Sequence, residues 1–133
     1  MNSYYGLSEI EYELMQLFWQ SDKELFFAEI VRYCNEQKGH DWAQTTIHTY
    51  LSRLIQKNVL TSSRKGYKRS YKAKVSEEEL SGIWANKFIE TSYENSVTKF
   101  LVSFTKKTKL SKEEIDHLHQ FLDEQLPNDD SSI

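Results

Sequence analysis

The sequence predicts a mainly α-helical chain with one small β-hairpin: a winged helix-turn-helix domain followed by a C-terminal helical region. Three observations carry this expectation. Four glycines and one proline in 133 residues leave little material for long loops. Three Ser-x-x-Glu boxes, Ser8 to Glu11, Ser76 to Glu79 and Ser111 to Glu114, mark helix starts. A basic stretch of β-compatible residues surrounds a lone Gly66 after the third predicted helix.

Each box is flanked by an apolar pair that staples the entering chain to the first turn: Leu7 with Tyr12, Val75 with Leu80, Leu110 with Ile115. From Ser8, Leu7, Ile10, Leu14, Leu17 and Phe18 recur at the helical period. A second helix is predicted over about 26–37, with Phe27, Ile30, Val31 and Cys34 on one face. Gly39 breaks the chain before a third helix of about 43–57, whose core face is Ile47, Tyr50, Leu51, Leu54 and Ile55. Residues 59–63 and 67–73 then read as two strands joined at Gly66, which supplies the positive φ of a tight turn. Three helices and a hairpin in this order make the winged domain, residues 1–75.

Ser76 opens a second region, 76–126. One helix runs to about 91, a bend falls at 92–95, a short helix carries Val97, Phe100, Leu101 and Phe104, and a last helix spans 111–126 before Pro127. A tail of 127–133 is expected to be disordered. About 50 residues cannot easily bury so many large side chains alone. Folding back onto the winged domain is one solution, but packing against an identical copy is the economical one, because symmetric dimers are the commonest oligomers. The residues expected to dimerise are Leu80, Trp84, Phe88, Val97, Phe100, Leu101, Phe104, Ile115, Leu118 and Leu122.

Apolar residues make up 38% and charged residues 28% of the chain, so a packed core is available. Cys34 is the only cysteine, which excludes an internal disulfide framework and a Cys-rich metal site and fits a reducing compartment. Its place among core positions reads as a small buried hydrophobe. No signal peptide and no membrane-length apolar run is visible, so a cytoplasmic protein without membrane insertion is expected. The four histidines have no metal-ligand spacing, and no Gly-rich phosphate loop, nucleophile triad or carboxylate pair stands out. Glu113 and Glu114 are accounted for by the cap and the helix dipole. No enzyme, no metal and no cofactor is expected.

The net charge of −3 conceals a segregation. Residues 1–74 carry 11 basic and 8 acidic side chains, whereas residues 75–133 carry 6 and 12. Within 42–74 there are 8 basic residues and no acidic one. Such a segment suits a polyanion, because each Lys or Arg at a phosphate releases condensed counterions. Opposite its core face, the third helix presents Thr45, His48, Thr49, Ser52, Arg53 and Gln56 as one stripe without a carboxylate. These residue types match base edges and phosphates: Arg to guanine, Gln to adenine, Thr and Ser to several acceptors. Gln44, Thr46 and Lys57 flank the stripe, and Arg64, Lys65, Lys68 and Arg69 of the hairpin would hold phosphate.

The ordered set Trp42-x3-Thr46-Ile47-x-Thr49-x3-Arg53-Leu54-x2-Lys57, the first-helix pattern Leu7-Ser8-x2-Glu11-x2-Leu14-Met15-x3-Trp19, and Tyr71 leading into Val75-Ser76-Glu77-Glu78 resemble the penicillinase-repressor family. The likeness continues through Phe100-Leu101-Val102-Ser103-Phe104 and Leu110-Ser111-x-Glu113-Glu114-Ile115, so it covers nearly the whole chain. It implies a bacterial winged-helix repressor that binds an inverted-repeat operator in double-stranded DNA as a homodimer, with the third helix in the major groove. In the β-lactam branch of that family a membrane sensor leads to cleavage at an Asn-Phe bond in the dimerisation region. The matching positions are Ser103 and Phe104, with serine in place of asparagine. The copper branch uses paired Cys-x-Cys motifs near its C-terminus, and this chain has no cysteine after Cys34. Two further departures are Ala43-Gln44, where the β-lactam branch often has Ser-Pro, and His48, where it has a basic residue.

The expected function is a dimeric, sequence-specific DNA-binding transcriptional repressor, released by proteolysis or weakening of its C-terminal region and partnered by a sensor-linked protease. A small-molecule-released repressor and a winged-helix protein-interaction module are the alternatives.

Overall fold

The computed structural model describes residues 4–126, so the expectations for Pro127 and the 127–133 tail lie outside the described residues. The chain forms two compact units, the first ending at Lys87 and the second beginning at Phe88. The division falls inside a helix.

In the first unit, α1 (Glu9–Gln20) leads to a two-residue strand β1 (Leu25–Phe26), α2 (Phe27–Arg32), α3 (Gln44–Gln56), β2 (Leu60–Lys65) and β3 (Lys68–Ala73). It closes with the first part of α4 (Glu77–Ser92). The Ser8 hydroxyl accepts the Glu11 amide at 3.2 Å while the Glu11 carboxylate accepts the Ser8 amide at 2.8 Å, a box closed in both directions. The Ser76 box closes the same way, at 3.0 and 2.8 Å. Ser111 accepts the Glu114 amide at 3.0 Å.

Two local features differ from the sequence reading. The predicted helix of 26–37 is α-helical only to Arg32 and continues as a π-helical turn over Tyr33–Gln37. The hairpin is part of a three-stranded antiparallel sheet of order β1-β3-β2, because Leu25 pairs with Tyr71 and Phe26 with Ser70. A strand of two residues is too short to show a period of two. The β2–β3 register runs from Leu60 opposite Ala73 to Lys65 opposite Lys68, and Gly66 turns the chain at φ +69°.

The core of this unit gathers Leu7, Leu14, Met15 and Phe18 of α1 and its entry, Ile30 and Cys34, Ile47, Leu51 and Leu54 of α3, and Leu60 and Tyr71 of the sheet. Burial pushes the Cys34 thiol up to about 11, in keeping with an inert core side chain. Leu80 is a correction to the sequence reading: at 6% exposure it belongs to this core and not to a free dimerisation face. Trp84 also packs within the first unit, its ring against Gly6 so closely that a Cβ there would sit 3.3 Å from Cδ1. Two long-range hydrogen bonds fasten α1 to the entry of α4. The Trp19 indole donates to the Val75 carbonyl at 2.9 Å, and the Tyr12 hydroxyl donates to Glu77 Oε2 at 2.5 Å. The Glu77 carboxylate holds the Tyr12 phenol up to about 12.

The second unit holds the end of α4, α5 (Val97–Thr105) and α6 (Lys112–Glu124). Glu94 and Asn95, both at positive φ, form the bend, and the Ser96 hydroxyl caps α5 by accepting the Lys99 amide. Phe88, Tyr93, Phe100 and Phe104 form a chain of ring contacts with centroids 5.3 to 6.3 Å apart. Yet neither α5 nor α6 has a buried residue. No helix among the described residues is long and apolar enough to cross a membrane.

Candidate nucleic-acid interface

α3 owes its form to two incompatible faces. Ile47, Leu51 and Leu54 are buried, whereas Gln44, Thr45, His48, Thr49, Ser52, Arg53 and Gln56 are exposed, with Thr46 at the margin. Ala43 occupies the N-cap without a side-chain hydrogen bond. Asn58, at φ +64°, terminates the helix, and the following Val59 amide returns to the Leu54 carbonyl at 3.2 Å.

The turn that delivers the chain into α3 is held from three sides. The Asn35 side chain accepts the Trp42 amide at 3.0 Å and donates to the Trp42 carbonyl at 3.1 Å. The His40 ring stacks on Trp42 at 3.8 Å, 4° from parallel, while its Nε2 meets Glu13 Oε2 of α1 at 2.6 Å. Trp42 in turn meets Tyr50 edge-on. The exposed stripe therefore rides on a helix fixed at its entry.

On the stripe, the Thr49 hydroxyl donates to the Thr45 carbonyl at 3.0 Å, and a hydroxyl that donates can still accept. The Arg53 guanidinium lies 5.9 Å from the centre of the Tyr50 ring. His48 is stacked on Phe27, the first residue of α2, with centroids 4.0 Å apart and planes 9° from parallel. This pair joins the helix to the hairpin: Phe26, Phe27, Ala28, His48, Tyr67, Lys68, Arg69 and Tyr71 line one cleft of about 330 Å³.

The hairpin's basic residues are arranged by its register. Arg64 stands opposite Arg69 and Lys65 opposite Lys68. The Arg69 guanidinium donates to the Ser62 hydroxyl at 3.0 Å, the Lys68 ammonium lies 5.9 Å from the centre of the Phe26 ring, and Lys65 pairs with Glu24 at 3.2 Å. Tyr67, at the tip, is 89% exposed. The structure thus brings His48 together with Lys68 and Arg69, and sequence periodicity alone gave no sign of Phe26, Phe27 and Tyr67 as members of the same cleft.

Lys57 is not brought into this set. Its ammonium is 2.6 Å from Glu11 Oε1 and donates to the Gly6 carbonyl at 3.1 Å, an ion pair with α1. Burial pushes the Glu11 carboxyl up, but hydrogen bonds from Lys57 and the Ser8 amide outweigh it and hold it below its ordinary value of 4.5. Ser103 and Phe104 lie in the last turn of α5, both exposed. Among the described residues no group of three His, Cys, Asp or Glu side chains could hold a metal ion.

A sequence model of the family described as penicillinase repressor matches residues 7–124. The chain is 27% identical over 118 residues to a penicillinase repressor of Bacillus licheniformis, covering 89% of this chain and 90% of that one. It is 27% identical over 121 residues to the methicillin resistance regulatory protein MecI of Staphylococcus aureus, covering 91% and 96%. A penicillinase repressor of Staphylococcus aureus is 24% identical over 123 residues, 92% of this chain and 95% of that one.

Proposed function

Since the chain belongs to the penicillinase repressor family, a family of DNA-binding transcriptional repressors, we propose that it represses transcription as a homodimer bound to an inverted-repeat operator. The observation that carries this reading is the carboxylate-free stripe of α3, made continuous with the cationic hairpin through the His48 cleft. Arg53, His48, Thr45, Thr49, Ser52 and Gln44 would address base edges and adjacent phosphates in the major groove, with Thr46 at the margin. Arg64, Lys65, Lys68 and Arg69 would hold the phosphate backbone beside them.

Pairing through the second unit is supported by its apolar residues. Val97, Phe104, Ile115, Phe121 and Leu122 are exposed, and no residue of α5 or α6 is fully buried. A self-complementary two-fold contact would cover Phe88, Phe100, Leu101 and Leu118 along with them, and would set two α3 helices on two half-sites. Release then follows from losing that contact. Each half-site interaction is weak alone, and linkage supplies the effective concentration that makes the pair tight. Cleavage at Ser103–Phe104 by a sensor-linked protease, or displacement of α5 and α6, would have this effect in a cytoplasmic setting.

The test is transcriptional. A reporter whose promoter carries the bound sequence should be silenced by the wild-type chain and restored by Arg53→Ala or by truncation after Val102. Full silencing by the truncated chain at low expression would contradict release through the dimer. Release of the wild-type chain by a small ligand, without proteolysis, would favour the ligand-controlled reading.

A further inference from the structure

The Phe27–His48 pair carries a consequence for how DNA binding responds to pH, which rests on the functional reading above. Phe27 packs against the core of the first unit, so it is an anchored plate and not a mobile ring. His48 lies flat on it at 4.0 Å. Stacking engages the face of an imidazole and leaves its two nitrogens at the ring edge, where hydrogen bonds are made. A ring held this way has already lost the rotamer freedom that binding would otherwise cost.

The electrical surroundings of His48 are one-sided. The hairpin contributes Lys68 and Arg69 to the cleft as cations and Tyr67 and Tyr71 as neutral phenols. Phe26 of β1 and Phe27 and Ala28 of α2 bring no charge, and α3 itself contains Arg53 but no acid. The acids of the neighbouring segments are already engaged: Glu29 of α2 accepts the Phe26 amide at 2.9 Å, and Glu24 pairs with Lys65 at 3.2 Å and accepts the Ser70 hydroxyl at 3.2 Å. No carboxylate lines the cleft. Negative charge therefore reaches this imidazole with the phosphates of a DNA ligand. A protonated imidazole offers two donors, suited to a phosphate or to guanine O6 and N7, whereas the neutral ring offers one. Histidine changes charge between about pH 5 and pH 8, so DNA favours uptake of a proton in a range where a lysine or arginine at the same position would stay charged throughout.

We propose that Phe27 is a positioning residue for His48, and that the stacked pair makes DNA affinity depend on pH, tightening as the solution is acidified. The ligand class is duplex DNA, and the added element is a proton taken up on binding.

The experiment titrates the full chain with a labelled duplex carrying the sequence it selects, at matched ionic strength, at about pH 6 and about pH 8. Wild-type binding should be roughly fivefold to tenfold tighter at the lower pH, the scale of one linked proton. His48→Gln, at an exposed position, should lose that slope and bind weakly at both values. His48→Lys should lose the slope and bind tightly at both. Phe27→Leu, which keeps an apolar side chain but removes the plate, should flatten the slope in the wild-type background and change nothing further in His48→Gln. The same pH slope in wild type and His48→Gln would overturn the proposal. So would an equal loss from Phe27→Leu in both backgrounds, the mark of a merely structural role. A wild-type chain that binds no duplex at either pH would overturn the functional reading and this proposal together, whereas DNA binding with a pH slope indifferent to His48 overturns this proposal alone.

Discussion

Lys57, one residue past the end of α3, places its ammonium 2.6 Å from the Glu11 carboxylate, which is 3% exposed in the first turn of α1. The pair locks the far end of α3 to the helix that opens the domain. Lys57→Met should lower unfolding free energy by about 1–3 kcal/mol, the scale of a hydrogen bond to a charged group. Because this lysine is turned toward α1, the folded variant should keep its DNA affinity. Urea unfolding and DNA titration of the same variant check both halves.

The same pair sets an acid limb. Glu11 is held below its ordinary value of 4.5 in the fold, so the unfolded chain binds the proton more readily. Its contribution is complete above that value and is lost as pH falls through the lowered one. Stability measured from about pH 7 down to about pH 3 should therefore fall less steeply in Glu11→Gln than in wild type, from a lower starting point.

Ala43 leaves the N-terminus of α3 without a side-chain cap. Ala43→Ser should stabilise the first unit by about 1 kcal/mol, the usual gain of a hydroxyl at this position. Thermal unfolding followed by circular dichroism would show the midpoint rise.

Arg53 and Lys68 should fail differently. Arg53→Ala should cost about 1–3 kcal/mol on the selected sequence and relax preference at one base position. Lys68→Gln should weaken selected and random duplexes alike and reduce the salt slope by about 1. Binding isotherms at several salt concentrations separate the two.

Leu122 and Phe121 stand 48% and 55% exposed on α6. Leu122→Glu should leave the first unit folded and shift the protein to monomers in sedimentation. Operator affinity should then fall sharply at low protein concentration, because two half-site contacts no longer share one assembly.

The elements of this fold were legible wherever local rules decide them. Ser8, Ser76 and Ser111 announce helix starts through neighbours three residues away, and Gly66 announces the hairpin turn through its backbone freedom. The two faces of α3 are likewise written in the spacing of Ile47, Leu51 and Leu54 against Thr45, Thr49 and Arg53. What the sequence concealed depends on partners distant along the chain. Lys57 reads as one more basic residue beside the stripe until α1 brings Glu11 to it. Leu80 reads as the staple of a second domain until the first core encloses it. His48 reads as a solvent-facing polar residue until α2 slides Phe27 beneath its ring. β1 escaped notice because Leu25 and Phe26 are strand only by virtue of β3.

The most direct measurement is selection of bound duplexes from a random DNA pool by the purified chain, followed by sequencing. The account predicts an inverted repeat whose half-sites lie about one helical turn, roughly 10 base pairs, apart. A bound pool with no shared sequence would contradict it, and would mean that the exposed face of α3 does not read bases.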